Sequence, residues 1–359
     1  METEPRTNVP SQSRPRATAA MVAALAGVST ATVSLVTNGK TAGRVSTQNI
    51  AKVERAIAEL GYVVDGIGSS LAKGRSNIVI LVAPDVSNPF FAEVIAGVRS
   101  AMGKEFQLLL SVTDAGQTPH PDDIRKLFSL RPAGFLVDAP NADFLAALSA
   151  TGPMVLLDAP GIDSQAPSVN FDVGHGAREL ANHLASAGHR TVAYLDSVTG
   201  TETFRVRREA FYDQAAKLGM AVPEGALAST TVDVGAAAMS FAAAWPAWQQ
   251  SGVTAVVCCT DTHAYGVVQE ARVQGVRIPD QLAVTGFDDL PYSAASNPGL
   301  TTVHLPAREL GTTAGEWLRR LMAGGVVDQP HVMLESTLVI RGSTVSHPMA
   351  HAGTENWLK

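Results

Sequence analysis

Thr30, Ala31, Ser34 and Leu35 follow the tight segment Gly27-Val28-Ser29 and fall on or near one face of a short helical stretch. Small hydroxyl and methyl groups of this kind suit contact with base edges in a DNA groove rather than bond-making chemistry. Two apolar-periodic segments, Thr18 to Leu25 and Thr30 to Val36, flank the turn. Short helices joined through a glycine-bearing turn are the sequence form of a helix-turn-helix. Gly27 can take the positive φ of the turn, and Ser29 can cap the second helix through its hydroxyl. Val22, Leu25, Val28, Val33 and Val36 are expected to form the small core. Taken alone, the pattern also fits an ordinary helical hairpin. For catalysis the sequence offers nothing comparable: no Gly-x-Ser-x-Gly elbow, no Gly-Lys-Ser/Thr phosphate loop and no His-Glu-x-x-His pair. His175, His183 and His189 share a helical region, but their spacing does not bring all three to one face. The expectation is a protein without enzyme activity, cofactor or bound metal.

The elements that hold these residues are set by length and patterning. A chain of 359 residues should form two or three domains. Its net charge of −6 divides unevenly: residues 1–75 carry nine Lys/Arg and five Asp/Glu, a balance of +4, which leaves −10 for the remainder. A basic head on an acidic body confines phosphate attraction to one end, although modest imbalances between domains are common. The polar, proline-bearing start lacks an apolar h-region and reads as a disordered extension over residues 1–15 rather than a secretory signal. No apolar run is long enough to span a membrane. The adjacent Cys258 and Cys259 lie in an apolar strand-like run, where neighbours point to opposite faces, so they read as core filler in a reducing cytoplasm.

A third helix is expected from the cap Ser46 to about Leu60, with Ile50, Val53, Ile57 and Leu60 at core spacing and Gly61 at its end. From Asn77 onward, strand-like runs at 78–83, 107–112, 134–137, 154–157, 191–195, 255–259 and 282–285 alternate with helical segments, as in parallel sheets built from βαβ units. Ligands of such sheets settle beyond the carboxyl ends of the strands. That rule selects Asn88-Pro89-Phe90-Phe91, Asp158, Asp261 after Thr260, and Asp288 in Gly286-Phe287-Asp288-Asp289.

The spelling of the head is similar to that of the LacI/GalR family of bacterial transcriptional regulators, whose heads read T-x-x-D-V-A-x-x-A-G-V-S-x-x-T-V-S-R-V-L-N. Thr18, Val22, Ala23, Ala26, Gly27, Val28, Ser29, Thr32, Val33, Ser34, Val36 and Asn38 match, and the likeness continues through Val45-Ser46 and Glu59-Leu60-Gly61-Tyr62 over most of the chain. The resemblance implies a DNA-binding head at 16–62, a hinge segment at 63–75 and a two-lobed periplasmic-binding-protein-like α/β body at 76–346, followed by a tail. The lobes would cover about 76–172 with 303–332, and about 173–300 with 334–346.

It further implies DNA contacts from Thr18, Ser29, Thr30, Ala31, Thr32, Ser34, Leu35, Asn38, Arg44 and Tyr62, with Leu71 as a minor-groove wedge beside Lys73. A leucine packed on the body is the competing reading of Leu71. Arg14, Arg16, Lys40, Arg44 and Lys73 are candidate phosphate contacts. Several positions depart from the family. Leu35 replaces the usual arginine and Met21 the usual aspartate, while Gly66 and Gly68 each cost a hinge helix ~1 kcal/mol relative to alanine. In the body, the resemblance marks Phe90, Phe91, Asp158, Arg207, Asp261 and Asp288 as effector contacts. Thr260 and Ala210 stand where asparagine and glycine are usual.

Carboxylates, a guanidinium fork and an aromatic face suit a polyhydroxylated ligand. An ion pair between Arg207 and Asp288, a helix cap at Asp261 and a core role for one of the two phenylalanines remain as structural alternatives. The expected partners are double-stranded operator DNA, a small sugar-like effector and a second copy of the chain. The resulting expectation is a cytoplasmic, nucleoid-associated repressor. Its rivals are a solute-binding protein of a transport system and a regulator whose cleft has degenerated.

Overall fold

The structure, a computed structural model, describes residues 17–62, 76–83, 86, 88–112, 126–140, 144–146, 152–162 and 166–345. The chain separates into two compact units, Met1–Ser76 and Asn77–Lys359.

The head holds α1 (Ala19–Ala26), α2 (Thr30–Thr37) and α3 (Thr47–Leu60). Each helix begins at a hydroxyl cap: Thr18 accepts from Met21 N, Ser29 from Thr32 N and Ser46 from Asn49 N. Gly27 and Gly61 end α1 and α3 in the left-handed region, at φ 66° and 59°, where a Cβ would be strained. The axes of α1 and α2 turn through 104° across this corner, as a helix-turn-helix requires. Val22, Ala23, Ala26, Val33, Val53 and Ala56 form the core, with Val28, Val36, Ile57, Leu60 and Tyr62 packed around it. Leu25, expected inside, is 48% exposed. The face of α1 that carries Val22, Ala23 and Ala26 turns inward instead.

The body begins with β1 (Ile78–Ala83), α4 (Phe90–Met102), β2 (Gln107–Val112), β3 (Gly134–Asp138), β4 (Met154–Leu157) and β5 (Ser168–Phe171). It continues with α5 (Val173–Ser186), β6 (Val192–Ser197), α6 (Glu202–Lys217), β7 (Leu227–Thr230), α7 (Val234–Gln250), β8 (Ala255–Cys258), α8 (Asp261–Val273), β9 (Ala283–Thr285) and α9 (Pro291–Ala295). The last elements are β10 (Thr302–His304), α10 (Ala307–Met322), β11 (His331–Leu334) and β12 (Thr337–Val339). One parallel sheet runs β11-β5-β4-β3-β1-β2 and a second runs β7-β6-β8-β9. These are two lobes of one architecture, each with its switch of strand order beside the first strand. The chain passes between them at Asp172, along β10, and between β11 and β12. β10 and β12 pair antiparallel as a separate ribbon.

Strand residues alternate between two cores, as the pleat dictates. Val79, Leu81, Leu136 and Val155 face the core shared with α4 and α10, whereas Ile80, Val82, Phe135 and Leu156 face the other side. In the second lobe Tyr194, Val257 and Cys259 face one core while Leu195, Val256 and Cys258 face the other. The two cysteines are therefore free and buried on opposite faces, as the sequence implied. Among the described residues, no single helix is long and apolar enough to cross a membrane.

α4 and α10 cross at glycines, Gly97 and Gly311, whose missing side chains let the backbones meet. A methyl at Gly311 would overlap the Val94 carbonyl, and one at Gly97 would overlap the Arg308 carbonyl. Because the obstruction is backbone, it cannot swing aside. Gly311→Ala should therefore lower the unfolding free energy of the body by about 1–3 kcal/mol, the usual cost of overpacking. Urea denaturation followed by circular dichroism checks this.

Candidate functional site

On the head, the exposed side chains of α2 are Thr30, Ala31 and Ser34, with Leu35 and Thr32 half-buried beside them. Thr18 and Ser29 spend their hydroxyls on caps, and the Ser29 Oγ also meets Thr32 Oγ1 at 3.0 Å. Asn38 donates to the Ser34 carbonyl at 2.7 Å. Arg44 and Lys40 are exposed on the following loop, and Tyr62 packs against the head core. The outer surface of α2 thus carries hydroxyls and methyls and no charge. Leu71 and Lys73 lie outside the described residues.

In the body, the strand ends converge as expected. Arg207, on α6, is buried at 4% exposure, and Nη1 donates to the Cys259 carbonyl at 2.9 Å and to Asp288 Oδ1 at 3.4 Å. Its guanidinium carbon lies 4.2 Å from the Phe287 ring centre and 5.1 Å from that of Phe204. Asp288 follows β9 with φ 115°, an outlier that aims its carboxylate at Arg207 and, across the lobes, at Asn88 Nδ2, 3.4 Å from Oδ2. Burial pushes the Asp288 carboxyl up to about 6, against the pull of Arg207 and Asn88. Asp158, one residue past β4 with φ 43°, is raised by burial and drawn back by Arg207 and the Thr203 hydroxyl. Arg207 Nε and Asp158 Oδ1 are buried with no hydrogen-bond partner among the described residues.

Phe90 and Phe91 open α4, and Asn88 Oδ1 accepts from Phe90 N at 3.1 Å. Both rings belong to the core, edge-on to each other at 5.4 Å. Phe90 also lines a cavity of about 620 Å³ together with Asp288, His304 and Arg308, whereas Phe91 does not.

Asp261, expected as an effector contact or a helix cap, is held in neither role by its bonds. It is the first residue of α8, wholly buried, with Oδ2 accepting from Leu290 N at 2.8 Å and from Ser293 Oγ, and Oδ1 accepting from Thr302 Oγ1. Thr260 makes the helix cap, accepting from His263 N. Both Asp261 oxygens are therefore committed to the loop after β9 and to β10, and the residue braces the wall from behind. Burial first, then the Asp288 charge, pushes its carboxyl up to about 7. Asp138, by contrast, was not singled out from sequence. It ends β3 at the same sheet edge, buried, with Oδ1 unpartnered among the described residues. The strand-end rule that found Asp158 applies equally to the residue after Val137.

Comparison with known proteins extends both halves. Residues 20–65 match the bacterial regulatory proteins of the lacI family, and residues 181–344 match a periplasmic binding protein-like domain. The chain belongs to the LacI family. It is 29% identical over 328 residues to the ribose operon repressor of Haemophilus influenzae, covering 90% of this chain and 98% of that protein. It is 28% identical to the repressor CytR of Escherichia coli, covering 91% and 96%. A LacI family regulator from Silicibacter pomeroyi superposes with a TM-score of 0.78 at 25% identity, covering 91% of this chain and 99% of that one. The lac repressor dimer bound to operator and the anti-inducer ONPF gives 0.76 at 23%, covering 92% and 100%. The head-plus-sensor architecture is thus that of a ligand-responsive DNA-binding regulator rather than of a transport protein, and family members are regulators, not enzymes.

The Asp261 brace sets a pH dependence. A folded carboxyl raised to about 7 keeps a proton that the unfolded chain releases near pH 4. Between roughly those values the folded LacI-family body binds more protons, so stability present at low pH is lost as pH rises. Asp261→Asn should flatten that portion of the curve. Urea unfolding across the window measures it, and an unchanged slope would mean the carboxylate is already ionised in the fold.

Proposed function

We propose that this regulator is a repressor of sugar or related catabolic genes that binds a palindromic operator in the cytoplasm as a homodimer. Its interlobe cleft would take a sugar-like effector through Asp158, Arg207, Asp288 and Phe90. The observation that carries the reading is the convergence, at the C-terminal edges of both sheets, of buried charged groups with unspent hydrogen-bonding capacity. A pair that served only to join the lobes would leave no such atoms over.

Thr30, Ala31, Ser34 and Leu35 would face bases, and Lys40 and Arg44 would meet phosphates. The edge position of β2, with Leu109, Leu110 and Val112 exposed on it, favours a protein partner there. The effector acts allosterically if it binds one placement of the lobes better than the other. The Asp172, β10 and β11–β12 passages are where such a change of placement is absorbed.

Two measurements test the reading. Fluorescence anisotropy against fragments from the gene's own upstream region should detect salt-sensitive binding. Lys40→Ala and Arg44→Ala should each weaken it on every sequence and reduce the log–log salt slope by about one. Arg207→Ala should leave DNA affinity intact while abolishing release by low-molecular-mass cell extract. Failure to bind any upstream fragment would favour the solute-binding reading instead. A full response to extract in Arg207→Ala would sink the cleft assignment.

A further inference from the structure

The outer face of α2 limits how the head can tell one base pair from another. Val33 and Val36 turn this helix into the head core. Ala31, Ser34, Leu35 and Asn38 are left on the opposite side, with Thr30 at its leading edge. In a major groove the sharpest readers are two-pronged: arginine or lysine on guanine, asparagine or glutamine on adenine. α2 holds no arginine, lysine or carboxylate. Its cap Asn38 supplies the one amide here, and Nδ2 is turned back onto the helix end, 2.7 Å from the Ser34 carbonyl and 3.3 Å from Ser34 Oγ. Thr32 and Thr37 spend their hydroxyls on Ser29 and on the Ser34 carbonyl. Those of Thr30 and Ser34 remain, and a single hydroxyl suits more than one base.

What is left to discriminate is apolar contact. Ala31 and Leu35 lie one turn apart, at i and i+4, and form a continuous aliphatic strip on the outer side of the helix. α3 gives the contrast, since its outward positions carry Lys52, Glu54, Arg55 and Glu59. The head thus charges one exposed helix and leaves the other bare, which solubility alone does not ask for. Among base edges an aliphatic side chain has one specific complement, the C5 methyl group of thymine. Each such methyl taken out of water against Leu35 or Ala31 strengthens binding about fourfold.

We propose that α2 reads thymine methyl groups rather than guanine, with Leu35 and Ala31 as its specificity-determining residues. The proposal rests on the DNA-binding reading above and names the base chemistry that the head selects. Lys40 and Arg44, on the loop after α2, then add affinity without adding choice among sequences.

The test uses the full-length protein and a pool of duplexes randomised over about 20 base pairs, enough for two half-sites one helical turn apart. The preferred duplex is resynthesised with uracil in place of thymine, one position at a time. Uracil keeps the pairing and deletes only the methyl. Under α2 each uracil should weaken binding about fourfold. Leu35→Ala should erase the difference between thymine and uracil at one of these positions and leave the others unchanged. Leu35→Arg should shift the preferred base there to guanine. The uracil arm needs no substituted protein, so it stands whether or not the variants fold.

A fully uracil-substituted duplex bound as tightly as its thymine counterpart overturns the methyl reading. A thymine–uracil difference that survives Leu35→Ala at every position overturns the assignment to Leu35. Either result leaves the DNA-binding reading intact, since a preferred duplex was found. A pool that yields no preferred duplex overturns that reading, and this proposal with it.

Discussion

Arg207 sits where the two lobes meet, and its charge dictates what can surround it. A guanidinium cannot shed its proton, so burial obliges the fold to bring it acceptors. The Cys259 carbonyl at the end of β8 and the Asp288 carboxylate after β9 come from its own lobe. Asn88 and Asp158 approach from the other lobe, through the Asp288 carboxylate and through space. Phe204 and Phe287 flank the planar group and exclude competing polar contacts. The strained φ of Asp288 and the positive φ of Asp158 follow from the same demand, since both turns point a carboxyl inward rather than along the strand.

That arrangement explains why the two lobes are neither fused nor independent. They share one apolar cluster reaching from β1 and α4 through α5 to β6 and β8, while their polar edges meet around few hydrogen bonds. Asp261 holds the second lobe's share of this edge rigid by tying α8 to the β9–α9 loop and to β10. A wall fixed from behind, with groups left open in front, is the division of labour expected where supporting residues orient contacting ones.

The helix-turn-helix was legible because its signals are local: three hydroxyl caps and two left-handed glycines are spelled in the sequence. The parallel lobes were legible because seven of their strands are largely apolar runs, whereas β5, β7 and β11, four residues each and interrupted by Ser168, Asn170, Ser229, Thr230 or His331, gave no such signal. What escaped was direction. The strand-end rule located Asp261 correctly at the sheet edge but could not say that its carboxylate turns toward Ser293 and Thr302, which come from distant sequence. It passed over Asp138 because nothing in Val137-Asp138-Ala139 distinguishes a buried acid from a solvated turn. Leu25 was misplaced because periodicity over two turns cannot tell which of two adjacent faces the partner helices approach. The three-residue strands β10 and β12 carry too few side chains for any period to register.

The passages between lobes have a consequence for how the molecule comes into being. The first sheet is completed by β11, and one of its faces is covered by α10, both encoded after the entire second lobe. On a ribosome, β1 to β5 must therefore wait, with one apolar face only part-covered by α4, for roughly half the chain to be synthesised. The head needs no later residues for its core. During synthesis the reader of DNA can thus fold well before the device that governs it, and regulation is the last property the polypeptide acquires.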